Sequence, residues 1–508
     1  VACVGLTDEE RLVTAEAQTP GNELLIVGNA TGRDGLGGAS FASEDLEEDA
    51  ETEDRPAVQV GDPYAEKRLI EANEELVEAG LVRSARDLGA AGLGGASSEL
   101  VAKGGLGARI DLGAVHQREP EMNALEILLA ESQERMCYEV RPGDVEAVRE
   151  VTEKYDLGCS AIGEVTAGNY VCEFEGETVV DCAAEFLAEG APMNDLERVA
   201  PGQPGRDLPD VGLEAALAVR EAGDGETGIG LAFSSGADPN WTAAAPYDGA
   251  RAVALENATN VAATGATPLA AVDCLNGGNP EKPDVYGGFA AIVDGLADMC
   301  SELSVPVVGG NVSLYNDSPS GPIPPTPTLA MTGTKPGYEA PTAALDGDGT
   351  LLVVGGADGA DARRLGGSEL LARFGGTDRF PAVPDDAAAL VEAIADVAGA
   401  DSTLSTHDVS HGGLAVTLAE MVGPAGADVE LAPDPSALEA LFSEGVGRVV
   451  VETTDPATVR ERLDGVAPVT RLGEAIDDGR LECAVGGTEL TYTAGEVAAL
   501  RDTIESAL

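Results

Sequence analysis

Aromatic side chains, histidine and positive charge are all scarce in this chain of 508 residues. Aromatics make up 4% of it, with one tryptophan, so its cores must be packed from Ala, Val and Leu rather than large rings. Lysine occurs only at Lys67, Lys103, Lys154, Lys282 and Lys335. The 30 Lys and Arg face 90 Asp and Glu, a formal net charge of −60. Nucleic-acid binding needs the opposite balance, which removes that partner. The acid is spread over the whole length rather than gathered in a tail. A cationic partner would use it. The plainer reading is a solvated surface in a salt-rich cytoplasm, where high charge keeps proteins soluble and self-repulsion is screened. No apolar run approaches the ~18 residues of a membrane span, and no signal peptide is seen, so a cytoplasmic protein without a membrane partner is expected.

Several chemical motifs are missing as well. The eight cysteines (Cys3, Cys137, Cys159, Cys172, Cys182, Cys274, Cys300, Cys483) never form CxxC. They read as small hydrophobes in a reducing compartment, not as a disulfide or zinc framework. Nothing reads GxxxxGK[ST], no GxGxxG follows a strand, and there is no GxSxG elbow. Three histidines leave little room for histidine catalysis.

What is present is glycine, 65 residues of it, and an internal repeat. "LLIVGNATGRDGLGGAS" from Leu24 answers "LLVVGGADGADARRLGGSE" from Leu351. "ARDLGAAGL" ending at Leu93 answers "THDVSHGGL" ending at Leu414. "GARIDL" closing at Leu112 answers "GADVEL" closing at Leu431. Glu131-x3-Arg135 answers Glu444-x3-Arg448, and "IGEV" from Ile162 answers "LGEA" from Leu472. The order is identical, and the offset drifts only from 327 at Leu24 and Leu351 to 310 at Ile162 and Leu472.

Residues 20–197 and 341–508 are therefore two copies of one domain, B and B′. A Pro/Gly/Asp-rich linker, 198–225, leads into a different domain A, 226–340. There "GIGLAFSSG" reads as a strand and "GARAVALENATNVAAT" as a helix stopped by Gly265. "PLAAVDCLN" and "VPVVGGNVSLYN" read as buried strands running into polar loops, with the helix "YGGFAAIVDGLADMCSELS" between them. "TPTLAMTGT" closes the domain. Its "LAMTGT" resembles "VACVGL" at 1–6, so 1–19 reads as the remnant and linker of a first A domain, with about one hundred residues or more expected ahead of Val1. The fold class is α/β (α+β), a tandem repeat in the order (A′)-B-A-B′ with pseudo-twofold symmetry.

The candidate site residues are polar groups at strand ends, the favoured ligand positions of α/β folds. Gln59 in "AVQVGDP" reads as a contact to a substrate amide or hydroxyl, or as a turn residue satisfying backbone. Asp87 in "RSARDLGAAGL" reads as a magnesium ligand beside a phosphate, or as a helix N-cap. Glu131, Ser132 and Gln133 in "ESQERM" read as ligand contacts, or as a solvated loop. "AVDCLNGGNP" and "PVVGGNVSLYN" supply Asp273, Gly310, Asn311 and Ser313. A strand followed by Gly-Gly-Asn lets backbone N–H groups approach phosphate and leaves the Asn oxygen for a metal.

Together "GRDGLGGASFASEDL", "VQVGDPYAEK", "DLGAAGL", "SELVAKGGLG", "ESQERM", "GATPLAAVDCLNGGNPEKP", "VVGGNVSLYN" and "HDVSHGGL" resemble the synthetase-subunit family of phosphoribosylformylglycinamidine synthase, in its small multi-subunit form. The likeness covers nearly the whole chain in family order. It implies a repeat of PurM/AIRS-like domains, N-type for A and C-type for B, and the cofactors ATP and Mg²⁺. It implies a ligase that phosphorylates the amide oxygen of formylglycinamide ribonucleotide (FGAR) and lets ammonia displace the phosphate, giving the amidine (FGAM). It further implies a glutaminase subunit (PurQ-like) and a small bridging subunit (PurS-like) as partners. Carried over, Gln59, Glu131, Ser132, Gln133 and Ser313 bind substrate, Asp273 and Gly310 contact ATP, and Asp87 and Asn311 hold magnesium. The family's "SHNHP" motif with its general-base histidine is absent. It is expected upstream of Val1, and without it these residues alone are expected to be inactive. The family's Arg-Asn reads Thr259-Asn260 here, and the Phe of "FGNP" reads Gly277. Two rivals stand beside this reading. One is another ATP-dependent enzyme of the superfamily, of selenophosphate synthetase or thiamine-phosphate kinase type, against which the fused double copy argues. The other is a non-catalytic nucleotide-binding scaffold, against which the intact motifs argue.

"STHDVSHGGL", 405–414, places His407 and His411 at i and i+4 around Asp408, a spacing that can hold zinc. As the second copy of "SARDLGAAGL", it puts Asp408 where Asp87 stands, and it reads as the twin of the site rather than the site itself.

Overall fold

The computed structural model describes residues 12–36, 62–191, 229–318, 321–359, 361–433 and 436–501. Gln59 and Cys3 lie outside the described residues. The chain divides into two bodies, Cys3–Asp195 and Leu196–Leu508.

The first body is a seven-stranded sheet: β1 (Glu23–Gly28), β2 (Val82–Asp87), β3 (Gly107–Asp111), β4 (Arg135–Val140), β5 (Gly158–Thr166), β6 (Tyr170–Phe174) and β7 (Glu177–Cys182). Their order is β2-β4-β1-β5-β3-β6-β7. The central strand β1 reads ELLIVG, a short apolar run, because both of its faces are covered. Leu24 and Ile26 pack with Leu93, Leu100 and Ile110 on one side. Leu25 and Val27 pack with Leu69, Leu76 and Tyr138 on the other. The helix Pro63–Glu78 starts where Asp62 accepts from the N–H groups of Tyr64 and Ala65, and it buries Ala65, Leu69, Ala72 and Leu76 at helical spacing. Residues 14–19, expected as remnant and linker, belong physically to this body. Thr14 bridges to Ser84, Ala17 is buried, and the N–H groups of Gln18 and Thr19 bond Glu139.

The second body holds two sheets. The first has β8 (Ile229–Gly236), β9 (Thr267–Asn276), β10 (Val307–Ser313) and β13 (Thr326–Pro336), in the order β10-β9-β13-β8. A two-stranded ribbon, β11 (Asp317–Ser318) with β12 (Gly321–Pro322), leaves it beyond β10. Helices Pro246–Ala263 and Pro283–Glu302 cover one face, and Gly265, the expected stop, has φ +78° just past the first of them. The other face is open, which corrects the sequence expectation of buried strands. Val308 on β10 is 68% exposed, and Leu269, Phe233 and Val312 are exposed too. Apolar runs look the same whether one face is covered or both, so the pattern could not separate the cases.

The second sheet is β14 (Thr350–Gly355), β15 (Thr403–Asp408), β16 (Gly426–Leu431), β17 (Arg448–Thr453), β18 (Val469–Ile476), β19 (Arg480–Val485) and β20 (Thr488–Thr493). Its order β15-β17-β14-β18-β16-β19-β20 repeats the first body strand for strand. The registers agree as well: Val27 pairs Met136 and Cys159, and Val354 pairs Val449 and Val469. Both copies break register on the central strand at the same place, between Leu24 and Leu25 and between Leu351 and Leu352. At the facing positions a Cβ on Gly163 would lie 1.9 Å from the Arg109 carbonyl oxygen, and one on Gly473 would lie 1.8 Å from that of Asp428. Only glycine allows this approach. One apolar core runs from the helices of residues 246–302 through the helix Ala387–Ala398 to β14 and β17. The second body is therefore a single packed unit.

Candidate functional site and its internal counterpart

The strongest sequence candidates in the second body meet on β9 and β10, where Asp273, Gly310 and Asn311 lie within the paired strands rather than beyond their ends, and only Ser313 closes β10. These strands run parallel, with Gly310 opposite Asp273, Asn311 opposite Cys274 and Ser313 opposite Asn276. A Cβ on Gly310 would lie 1.7 Å from Asp273 Oδ1, so the carboxylate occupies the space that a side chain would need. Asp273 is half-buried. Burial pushes its carboxyl up, and the Asn311 backbone N–H works against that. Gly310 and Asn311 are exposed.

The loops beyond the strands are stitched together. Gly277 N donates to the Ser313 carbonyl at 2.9 Å, and the Asn316 side chain donates to the carbonyls of Gly277 and Ser313, both at 3.0 Å. Asp317 accepts from Asn279 N at 2.9 Å and pairs with Lys282. Gly277 replaces the family's phenylalanine without leaving a gap, because a Cβ there would meet Phe289 at 2.6 Å and Leu314 at 3.2 Å. Thr259 is buried and donates to the Leu255 carbonyl, while Asn260 donates to Glu256 at 2.6 Å.

In the first body Asp87 ends β2 and is exposed. Its carboxylate has no hydrogen-bond or ion-pair partner among the described residues. It is not a helix cap: the helix Gly92–Lys103 starts at Ala91 in the left-handed region with no side-chain cap. Glu131 and Ser132 are 5% and 1% exposed, which removes the solvated-loop alternative. Ser132 Oγ accepts from Gly32 N at 2.9 Å and donates to Asp34 at 2.6 Å. Gln133 donates to the Glu131 carbonyl at 3.1 Å. Buried Arg135 fixes the segment from behind, donating to the carbonyls of Ser132 (2.7 Å) and Ala130 (2.6 Å) and to Thr31 Oγ1 (2.9 Å). The arginine clamp holds the Glu-Ser pair in one fixed, preorganised arrangement.

The same positions in the second copy have another use. Glu444, the counterpart of Glu131, accepts from Trp241 Nε1 at 2.9 Å and from the N–H groups of Glu369 and Gly412, both at 2.8 Å. Burial pushes its carboxyl up to about 7. His411 stacks on Trp241 with ring centroids 5.5 Å apart, and its Nε2 lies 2.9 Å from Asp238 Oδ2. That carboxylate raises the imidazole to about 9. His407 faces other acids, with Nδ1 3.3 Å from Asp408 and Nε2 3.3 Å from Glu420. The two imidazoles are thus committed to separate carboxylates. Sequence reasoning missed Trp241 and Asp238, which complete this network from 203 and 173 residues away respectively. It also missed His116, whose ring sits 2.9 Å from Ser160 Oγ and 3.2 Å from the Gly28 carbonyl.

Comparison with known proteins places this geometry. The family model "AIR synthase related protein, C-terminal domain" matches residues 19–173 and 347–486, and the N-terminal domain model matches 223–334. Fold and site thus define an AIR synthase related protein, with two C-type halves flanking an N-type half. The phosphoribosylformylglycinamidine synthase subunit PurL of Natronomonas pharaonis is 72% identical over 100% of this chain and 76% of its own length. That of Haloarcula marismortui is 64% identical, with the same coverage. A Thermotoga maritima PurL structure complexed with FGAR superposes with TM-score 0.67 at 30% identity, over 92% of this chain and 74% of that one. Other structures of that protein are described as complexed with ATP (TM-score 0.64, 27% identity) and as PurLQS (0.65, 26%). Each covers 92% of this chain, and 72% and 74% of its own chain respectively. The chain belongs to the phosphoribosylformylglycinamidine synthase subunit PurL family.

Proposed function

We propose that this chain carries the synthetase chemistry of its family, the ATP-dependent conversion of FGAR to FGAM in purine biosynthesis. The γ-phosphoryl group passes to the FGAR amide oxygen and ADP leaves. Ammonia then adds to the iminophosphate carbon, phosphate departs with the C–O bond, and an amidine remains. Phosphorylation makes a poor leaving group into a good one. The observation that carries the reading is the close approach of Asp273 to Gly310 beside exposed Asn311, a side-chain-free stretch of strand against which a nucleotide can lie.

In this reading Asp273 and Gly310 contact ATP. Glu131, Ser132, Gln133 and Ser313 hold FGAR, as would Gln59 in the stretch outside the described residues. Asp87 and Asn311 offer hard oxygen donors of the kind Mg²⁺ takes, one an uncommitted carboxylate and the other an exposed amide. When bound, the ion supplies neutralisation of phosphate charge. The proposed domain plan is 20–197, 198–225, 226–340 and 341–508, with residues 14–19 packed on the first of these. A PurQ-like glutaminase supplies ammonia and a PurS-like subunit bridges the two, a reading supported by the PurLQS assembly of the Thermotoga relative. Among the described residues no helix is long and apolar enough to cross a membrane. The strongly acidic composition fits a salt-rich cytoplasm.

The test is an assay of the complete gene product containing this chain, in high salt with FGAR, ATP, Mg²⁺ and ammonium. Equal amounts of ADP, phosphate and amidine are expected. FGAR binding without ADP formation would overturn the reading.

A further inference from the structure

The second C-type half contains a cavity of about 230 Å³ whose space the first copy fills with its own chain. In the first copy Ala124, the first residue of a helix, lies twelve residues beyond Leu112. In the second, the matching Ala437 lies only six beyond Leu431. The longer first-copy connection pairs Gln117 with Thr31 and lays the His116 ring against Gly28, Gly158 and Ser160. Strand register makes Gly355, Pro468 and Thr470 the counterparts of those three residues, and all three line the cavity.

The lining is cationic, in a chain that carries three acids for every base. Arg363, Arg448 and Arg471 all reach the cavity, with exposed Glu430 as its acidic member. Arg448 uses Nε and Nη2 to clamp the carbonyls of Gly445 and Ser443, as Arg135 does for Ser132 and Ala130. The third donor separates the copies. Arg135 Nη1 donates to buried Thr31, whereas Arg448 Nη1 has no acceptor among the described residues, and Asp358 at the Thr31 position is exposed. Burial and the charge of Arg363 depress Arg448 to about 10. Gly355 and Gly356, at φ +87° and +85°, bring backbone to the wall without side chains.

We propose that this cavity is a binding site for a small phosphate-bearing anion, inorganic phosphate or the phosphate end of a phosphomonoester. Arg448 Nη1, the Arg363 and Arg471 guanidiniums and the Thr470 hydroxyl are its donors, with Arg471 also pairing with exposed Glu474. Planar guanidiniums suit phosphate oxygens, and a buried arginine donor gains most from an anionic acceptor. The site is separate from the Asp273–Asn311 strand pair and independent of the reaction proposed there.

The experiment is calorimetric titration of the complete gene product with inorganic phosphate and, separately, with ribose 5-phosphate. One saturable site is expected for at least one ligand, and the tighter ligand names the source. Arg363→Ala should weaken it about tenfold or more, the worth of a charged hydrogen bond. Arg471→Ala, on an exposed strand position, gives a second variant if the first folds poorly. Asp273→Asn should leave this binding unchanged. Absence of saturable binding, or binding that survives both arginine variants but is lost in Asp273→Asn, would overturn the proposal.

Discussion

The two C-type copies share a scaffold and differ in what their polar residues face. Glu139 and Glu452 are both fully buried beside β1 and β14, and each ties down the segment that leads into its central strand. Glu139 accepts from Gln18 N, Thr19 N, Asn22 and Ser84, and Glu452 from the N–H groups of Asp346, Gly347, Asp348 and Gly349 and from Ser405. Arg135 and Arg448 clamp equivalent carbonyls. The carboxylates at Glu131 and Glu444, one to each copy, part company. Glu131 stands with Ser132 and Gln133 on a clamped loop, while Glu444 is consumed by Trp241, Glu369 and Gly412. The two copies thus share the frame, and the carboxylate proposed to meet ligand in one corresponds to one that ties three segments together in the other.

The largest effect is expected where the copies agree. Glu139→Ala and Glu452→Ala each strand several buried donors, and each should cost its own copy about 3–5 kcal/mol in denaturant unfolding. A large cost in only one copy would break the claim of a common frame. Gly310→Ala forces Asp273 from its place and should lower ADP formation about 100-fold at unchanged melting temperature, since ligand misplacement near 1 Å costs that much. Asp87→Asn should raise the Mg²⁺ concentration needed for half-maximal rate about 10-fold, whereas Asp408→Asn should not move it.

The smallest effect is on pH. His411 is raised to about 9 by Asp238, and Glu444 to about 7 by burial. Both folded-state values exceed the ordinary ones, so the folded second body holds more protons than the unfolded chain. The His411 contribution is complete below about 6.5 and is lost as pH rises through 9. Glu444 adds a decline between its ordinary range and 7. Unfolding of the second body followed from pH 6 to 10 should show stability falling, and His411→Asn should flatten the upper part of that fall. The first body has no such pair at the equivalent positions, Ala90 and Glu131.

Much of this was legible in the sequence for a physical reason. Two copies of one fold must repeat the same apolar runs, glycines and strand-end acids, so offset matching found the counterparts of β1 to β5, while β6 and β7 carried no matching segment. Asp87, Glu131 and Asn311 could be picked out because strand ends are where ligands lie. Other features left no local signal. Trp241 and Glu444 are 203 residues apart, and nothing in either neighbourhood announces their bond. The open face of β8, β9, β10 and β13 reads like a buried one, because apolar composition does not record whether a second layer covers it. The cavity behind Arg448 arises from a six-residue shortening, a feature visible only once Leu112 and Leu431 are known to occupy equivalent strand ends.

The comparison stands or falls on one paired measurement: steady-state FGAM formation and melting temperature for Glu131→Gln and Glu444→Gln in the complete gene product. Glu131→Gln should raise the KM for FGAR or lower kcat/KM by at least about tenfold with its melting temperature unchanged, as loss of a ligand hydrogen bond does. Glu444→Gln should lower the melting temperature and leave kcat/KM near that of the unmodified protein. The reverse pattern, with Glu444→Gln inactive but fully stable and Glu131→Gln active but destabilised, would contradict the assignment of ligand contact and structural tie to the two copies.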